Sequence, residues 1–219
     1  ERLQNTLLLP FEIHGREVFM PASIGIAFND ISYEHADHIL RDADTAMYRA
    51  KANGKARHEI FNTGMHANAF KLLELETDLR YAIERAEFEL YYQPIVCIET
   101  GKPSGFEALI RWHHPQRGVI LPDEFIPLAE ETGMIIPIGQ WVIQQACQDL
   151  YQWQTKYGPQ LPITVSVNVS GKQLEQPGFV EYIRYVIKHT GADASMLKVE
   201  LTESMIMENP SAITSILNE

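Results

Sequence analysis

Three short apolar runs, each with polar groups set into it, constrain this chain more than any other feature. They are Glu107-Ala108-Leu109-Ile110-Arg111-Trp112, Val167-Asn168-Val169-Ser170 and Val199-Glu200-Leu201-Thr202-Glu203. Each reads as a strand. A polar group among apolar neighbours is costly to bury without a partner. Three of them on successive strands point to one shared site, for a metal and an anionic substrate.

The surroundings say what kind of sheet this is. From residue 88 the pattern runs strand, helix, strand, helix, with strands expected at 89–97, 104–112, 163–169 and 197–202. Helices are expected at 123–132, 137–157, 178–190 and 209–218. That alternation predicts an α/β fold, a parallel sheet with covering helices. Within 164–170, Val165, Val167 and Val169 alternate with Thr164, Ser166, Asn168 and Ser170, so one strand face is valine and the other hydroxyl and amide. In a sheet covered on both sides, the polar face needs hydrogen bonds or a ligand.

Glu107, Leu109 and Arg111 share a strand face; the two charges either pair with each other or hold a cation and a phosphate side by side. In the last run Glu200 is the better ligand, because Glu203 falls on the opposite parity and suits a loop-supporting role. Carboxylates and a carboxamide oxygen are hard ligands, suited to magnesium or manganese. Strand C-termini are where (β/α) enzymes build their sites, and paired divalent ions there support metal-assisted phosphodiester hydrolysis.

Other candidates have plainer explanations. His113 and His114 face apart on a strand, and Pro115 starts a turn, so a loop role suits them better than a metal. Trp141, Trp153 and Tyr157 suit helix packing. Lys51 and Lys55 lie one helical turn apart and fit a solvated helix end better than a grip on a phosphate. Cys97 and Cys147 have neither metal-site spacing nor the number for a disulfide framework, which makes a reducing cytoplasm the default. A net charge of −11 disfavours DNA or RNA as partners. No apolar run approaches the ~18 residues of a membrane-spanning helix, so no membrane contact is expected in this piece.

The first 62 residues differ in style. They read as the tail of an α+β domain: a hairpin around His14-Gly15, a buried strand of small residues at 22–28, and a helix from Tyr33 to Asn53. That helix carries Ala36, Ile39, Leu40, Ala43, Met47 and Ala50 on one stripe, with Gly54 as its C-cap; a short strand follows at 58–61. Residues 63–86 read as one amphipathic helix with Phe70, Leu73, Leu79 and Ile83 on its apolar side, either a connector or the first helix of the next domain.

Taken in order, several motifs resemble the EAL family of cyclic di-GMP phosphodiesterases. They are Tyr91-Tyr92-Gln93-Pro94, Glu107 to Trp112, Pro122-Asp123-Glu124-Phe125-Ile126-Pro127-Leu128-Ala129-Glu130, Asn168-Val169-Ser170 and Glu200-Leu201-Thr202-Glu203-Ser204. The first region resembles the C-terminal part of a GGDEF (diguanylate cyclase-like) domain, through Ser23-Ile24-Gly25-Ile26-Ala27, Asp44 to Lys51, and Gly54-Lys55. The domain boundaries expected are 1–62 for the GGDEF-like tail, 63–86 for the connecting helix and 87–219 for the N-terminal half of the EAL domain.

The resemblance implies an incomplete TIM-like (β/α) barrel whose first strand, 89–97, runs antiparallel to the rest. It implies Glu107, Asn168 and Glu200 as metal ligands, for two Mg2+ or Mn2+ ions in the complete site. Gln93, Leu109 and Arg111 become substrate contacts, with Arg111 on a phosphate, and Glu203 steadies an active-site loop. Lys51 and Lys55 match positions that contact nucleotide phosphates in active GGDEF proteins, with lysine at 55 where arginine is frequent. The family reaction opens cyclic di-GMP to linear pGpG. An aspartate pair, a lysine and another glutamate belong to later strands, past Glu219. The chain is therefore expected to be a truncated, inactive, self-associating or dimeric piece of a bacterial signalling phosphodiesterase. The parent would act in the cytoplasm, free or anchored to the membrane through other segments; a non-catalytic cyclic di-GMP-binding or regulatory module is the alternative.

Overall fold

The computed structural model describes residues 2–29, 33–158, 164–201 and 214. The chain divides into two compact units, Glu1–Glu74 and Leu75–Glu219. The expected helix at 209–218 lies outside the described residues apart from Thr214, and Glu203 lies outside them too.

The first unit follows the expected order. After helix α1 (Arg2–Leu7), strands β1 (Phe11–Ile13) and β2 (Arg16–Val18) form the antiparallel hairpin, with His14 and Gly15 at positive φ in its turn. Strand β3 (Ile24–Ile26) is shorter than expected and only half-buried, and it pairs in parallel with β4 (His58–Ile60). Its small residue is nonetheless required. A Cβ on Gly25 would lie 1.8 Å from the Ala43 carbonyl oxygen of helix α2 (Ala36–Ala52). The stripe that α2 buries is Asp42, Ala46 and Ala50, whereas Leu40 is exposed, a correction to the expected apolar stripe. Asn53 is the C-cap residue, and Gly54 follows at φ 106°.

Asp42 is the unexpected member. Tyr33 donates to its carboxylate at 3.1 Å, Arg41 at 3.3 Å, and His66 Nε2 lies 2.8 Å away. Burial is the largest single influence and pushes the carboxyl up. The hydrogen bonds from Tyr33 and Arg41, with the charge and hydrogen bond of His66, outweigh it and hold the group below its ordinary range. A lowered folded value means stability that is present at neutral pH and lost as pH falls through the carboxylate range. Asp42→Asn is expected to cost about 1 kcal/mol at pH 7, a solvent-screened share, and progressively less as the pH falls below the ordinary carboxylate range, so that the gap narrows between pH 7 and the lowest pH at which the protein stays folded. Urea midpoints of both forms at the two pH values check this; a difference that ignores pH would exclude the assignment.

Helix α3 (Gly64–Ala82) buries Leu75, Leu79 and Ala82. Phe70 and Leu73, expected on its apolar side, are exposed. The helix offers two overlapping apolar stripes, and the one carrying Leu75 and Leu79 is taken up by the core of the second unit.

That unit is a five-stranded sheet in the order β5-β6-β8-β9, with β7 paired to β6. Its elements are β5 (Phe88–Val96), β6 (Pro103–His114), β7 (Gly118–Ile120), α4 (Pro122–Thr132), α5 (Ile135–Tyr157), β8 (Thr164–Asn168), α6 (Gly171–Leu174), α7 (Phe179–Thr190), a 3-10 turn at Ala194–Met196 and β9 (Leu197–Glu200). Strands β6, β8 and β9 are mutually parallel, and β5 is antiparallel to β6, as in a TIM-like barrel of which this chain supplies part. Strand β6 outruns its neighbours and folds back through β7, an extension not foreseen.

The helices cover one sheet face. Ala108, Ile110 and Trp112 of β6 and Val165 and Val167 of β8 pack there against Phe125 of α4 and Ile138, Val142, Ile143, Ala146 and Leu150 of α5. Pro122 at the first position and acidic residues in the first turn suit the start of α4, and Gly133 at φ 79° closes it. Trp141 and Trp153 pack as expected, Trp153 with its ring centre 4.7 Å from that of Tyr92. Tyr157 does not; it is exposed beside Lys156. His114 ends β6 buried on the helix side, its Nε2 3.0 Å from Asp78 and its Nδ1 accepting from the Gln116 amide. The two histidines do face apart, but within a strand rather than a loop. Cys97 and Cys147 are both free, and burial pushes the Cys147 thiol up to about 11. No described helix is long and apolar enough to cross a membrane.

Candidate active site

The face turned away from the helices carries the predicted site residues. Alternation along β6 sends Glu107, Leu109 and Arg111 there, because Ala108, Ile110 and Trp112 go to the core. Side chains directly opposite across paired strands share a face. Gln93 lies opposite Glu107, Tyr91 opposite Leu109 and Glu89 opposite Arg111. Glu107 lies beside Ser166, and Asn168 beside Glu200. Gln93, Glu107, Asn168 and Glu200 thus line one face of four consecutive strands.

The closest contact joins two of them: Asn168 Nδ2 donates to Glu107 Oε1 at 2.7 Å. Glu107 does not pair with Arg111. The Arg111 guanidinium lies 5.7 Å from the Tyr91 ring centre and donates to the Ile110 carbonyl. Glu203 belongs to the residues outside the described set. Lys51 lies in the last turn of α2 in the other unit, whereas Lys55 falls beyond the helix at φ 58° rather than one helical turn on; both are exposed.

The donor set fits a hard divalent cation: two carboxylates flank one carboxamide on adjacent strands, with Asn168 and Glu200 exposed and Glu107 half-buried. Among the described residues no three of His, Cys, Asp and Glu gather to hold a metal, so the carboxamide is essential to this set. Ser166 adds to the fit. It is buried next to Glu107 in register, and its hydroxyl has no partner among the described residues. Buried hydroxyls without partners are rare and call for an ion or water.

The strand expected over 163–169 ends at Asn168. Ser170 caps the short helix α6: its amide donates to Gln173 Oε1 at 3.0 Å and its hydroxyl accepts from the Gln173 amide at 3.4 Å. The Ser-x-x-Gln pattern is a capping-box signal that reads directly from sequence. Gln173 is buried against α5, where a Cβ on Gly139 would lie 1.7 Å from its Nε2. Gly139→Ala is expected to displace Gln173, undo the box and cost about 1–3 kcal/mol. Chemical denaturation measures it; an unchanged midpoint would show that Gln173 has room to yield.

Comparison with known proteins agrees with this geometry. Residues 76–219 match the family model described as EAL domain, and residues 1–57 that of the diguanylate cyclase, GGDEF domain. The chain is 38% identical, over its whole length and 32% of the relative's, to a bifunctional diguanylate cyclase/cyclic di-GMP phosphodiesterase, MucR, of Pseudomonas aeruginosa. It is 35% identical to cyclic di-GMP phosphodiesterase PdeR of Escherichia coli, again over 100% of the chain and 32% of the relative. The chain therefore spans about a third of the length of these relatives. Among solved structures, a PaMucR phosphodiesterase in complex with c-di-GMP superposes with a TM-score of 0.62 at 40% identity, over 68% of this chain and 58% of that one. By its motifs, its antiparallel first strand and these matches, the chain belongs to the EAL domain family, preceded by the tail of a GGDEF domain.

Proposed function

We propose that the protein carrying this chain hydrolyses cyclic di-GMP to linear pGpG. The observation that carries the reading is the Asn168–Glu107 contact of 2.7 Å, with Glu200 in register beside Asn168. Glu107, Asn168 and Glu200 would hold divalent metal, Mg2+ or Mn2+, with two ions in the complete site. Bound there, such ions would activate water and neutralise the phosphodiester. Arg111 offers its guanidinium to a phosphate oxygen. Gln93 supplies a carboxamide opposite Glu107, and Leu109 an apolar surface between these polar groups. Glu203 keeps the loop-supporting role that the family resemblance implies. One P–O bond breaks; the hydroxyl of water goes to phosphorus, and its proton to the departing ribose oxygen.

The same proposal divides the chain into a GGDEF-like part at 1–62, a connecting helix at 63–86 and an EAL part from 87 on. It places the reaction in the cytoplasm and includes self-association, which a concentration-dependent mass in solution would reveal. The central test is incubation of the full-length protein with cyclic di-GMP and Mg2+ or Mn2+, followed by nucleotide chromatography. Appearance of pGpG, abolished by EDTA, is the expected result. Binding without product would move the assignment to a cyclic di-GMP receptor.

A further inference from the structure

Next to the row of oxygen ligands, the same face of β5 and β6 carries side chains with no role assigned above. The Arg111 guanidinium approaches the Tyr91 ring to 5.7 Å, and the His113 ring lies 6.1 Å from it, tilted by 38°. His113 Nε2 in turn lies 2.8 Å from Glu89 Oε2. Tyr91 is therefore braced from β6, yet 46% of it is open to solvent. It sits opposite Leu109, between the Gln93–Glu107 and Glu89–Arg111 pairs.

An exposed phenol fixed beside a phosphate-seeking guanidinium has a chemical consequence. A phosphodiester held at Arg111 brings its nucleosides within reach of the ring. A tyrosine has few torsions to freeze, so ordering it costs little. The cation against the ring polarises it and holds its orientation. Leu109, paired with it, supplies an apolar floor without hydrogen bonds that a base would have to match.

We infer that Tyr91 is a specificity-determining residue: a wall on which one purine of the cyclic dinucleotide stacks, kept upright by the Arg111 guanidinium and the His113 ring. The inference rests on the site reading given under Proposed function. It also says what kind of selectivity to expect. Stacking rewards the larger purine surface over a pyrimidine, but it does not tell guanine from adenine, because both present similar ring faces.

The test uses the full-length protein with metal removed by EDTA, so that cyclic di-GMP is bound and not consumed. Calorimetric titration is expected to show Tyr91→Phe within about threefold of the unsubstituted protein, and Tyr91→Leu weaker by about tenfold or more. Tyr91→Trp is expected to bind and to lose indole emission on adding ligand, beyond any change in the unsubstituted protein. With metal restored, KM rises in Tyr91→Leu while kcat stays within about twofold, the mark of lost ground-state binding rather than damaged chemistry. Tyr91→Leu binding as tightly as the unsubstituted protein, with Tyr91→Trp emission unmoved, overturns the stacking role and leaves the site reading intact. No binding without metal and no hydrolysis with it, both in the unsubstituted protein, overturns both.

Discussion

Glu107→Gln is expected to lower cyclic di-GMP hydrolysis by more than about a hundredfold, beyond the 10–100-fold that loss of an outer-shell partner costs a metal site. The substitution is nearly isosteric and keeps an oxygen to accept from Asn168 Nδ2, now at 2.7 Å from Glu107 Oε1. Packing on the helix side of β6 is untouched, since Ala108, Ile110 and Trp112 face the other way. Only the negative charge is lost, and that charge is what a hard cation requires of its ligand. Calorimetry with Mn2+ should therefore show weakened metal affinity alongside the lost turnover, with an unchanged denaturation midpoint. Activity within tenfold of the unsubstituted protein would remove Glu107 from the ligand set.

Trp112→Ala is expected to be the most destabilising single substitution considered, at about 3–5 kcal/mol. Trp112 is fully buried, with ring centres of Phe88 at 6.0 Å, Phe125 at 5.7 Å and His114 at 5.2 Å. Its indole N–H also donates to Glu87 Oε2 at 2.9 Å. Truncation would open a cavity where strand, α4 and the start of α5 meet, and it would take the indole donor from a carboxylate that is itself nearly buried. Trp112→Phe separates the two losses, because it keeps most of the volume and drops only the donor. A urea midpoint that barely moves in Trp112→Ala would mean that the surrounding rings collapse into the space.

How much of this was legible in the sequence depends on the range of the signal. Period-two alternation placed Glu107, Leu109 and Arg111 on one face, and the structure agrees. The motifs placed the antiparallel first strand, which alternation alone does not. Parity alone preferred Glu200 over Glu203; the set of Glu107, Asn168 and Glu200 came from the family resemblance, and the three lie on neighbouring strands. Where two apolar stripes overlap on one helix, as in α3, periodicity does not choose between Leu73 and Leu75; the core of the second unit does. Asp42 and His66 are 24 positions apart and leave no local trace of their contact. The brace on Tyr91 was hidden for the same reason, since Arg111 and His113 reach it across a strand pair. The Ser170 cap, by contrast, is local and readable as Ser-x-x-Gln, although the polar alternation of Thr164, Ser166 and Asn168 runs on into it.

Between Tyr91 and Gln93 stands Tyr92, whose hydroxyl donates to Asp149 Oδ2 of α5 at 2.6 Å; Gln145 Nε2 donates to the other oxygen at 2.9 Å. Burial, then the carboxylate beside it, hold this phenol protonated far above its usual range. Because strand side chains alternate, sliding β5 by a single residue would bring Tyr92 into the mouth and send Tyr91 and Gln93 toward the helices. Such a slip would also strand Asp149 without its phenol donor. The tyrosine turned toward the helices is thus the index mark that tells two flanking residues which way to point.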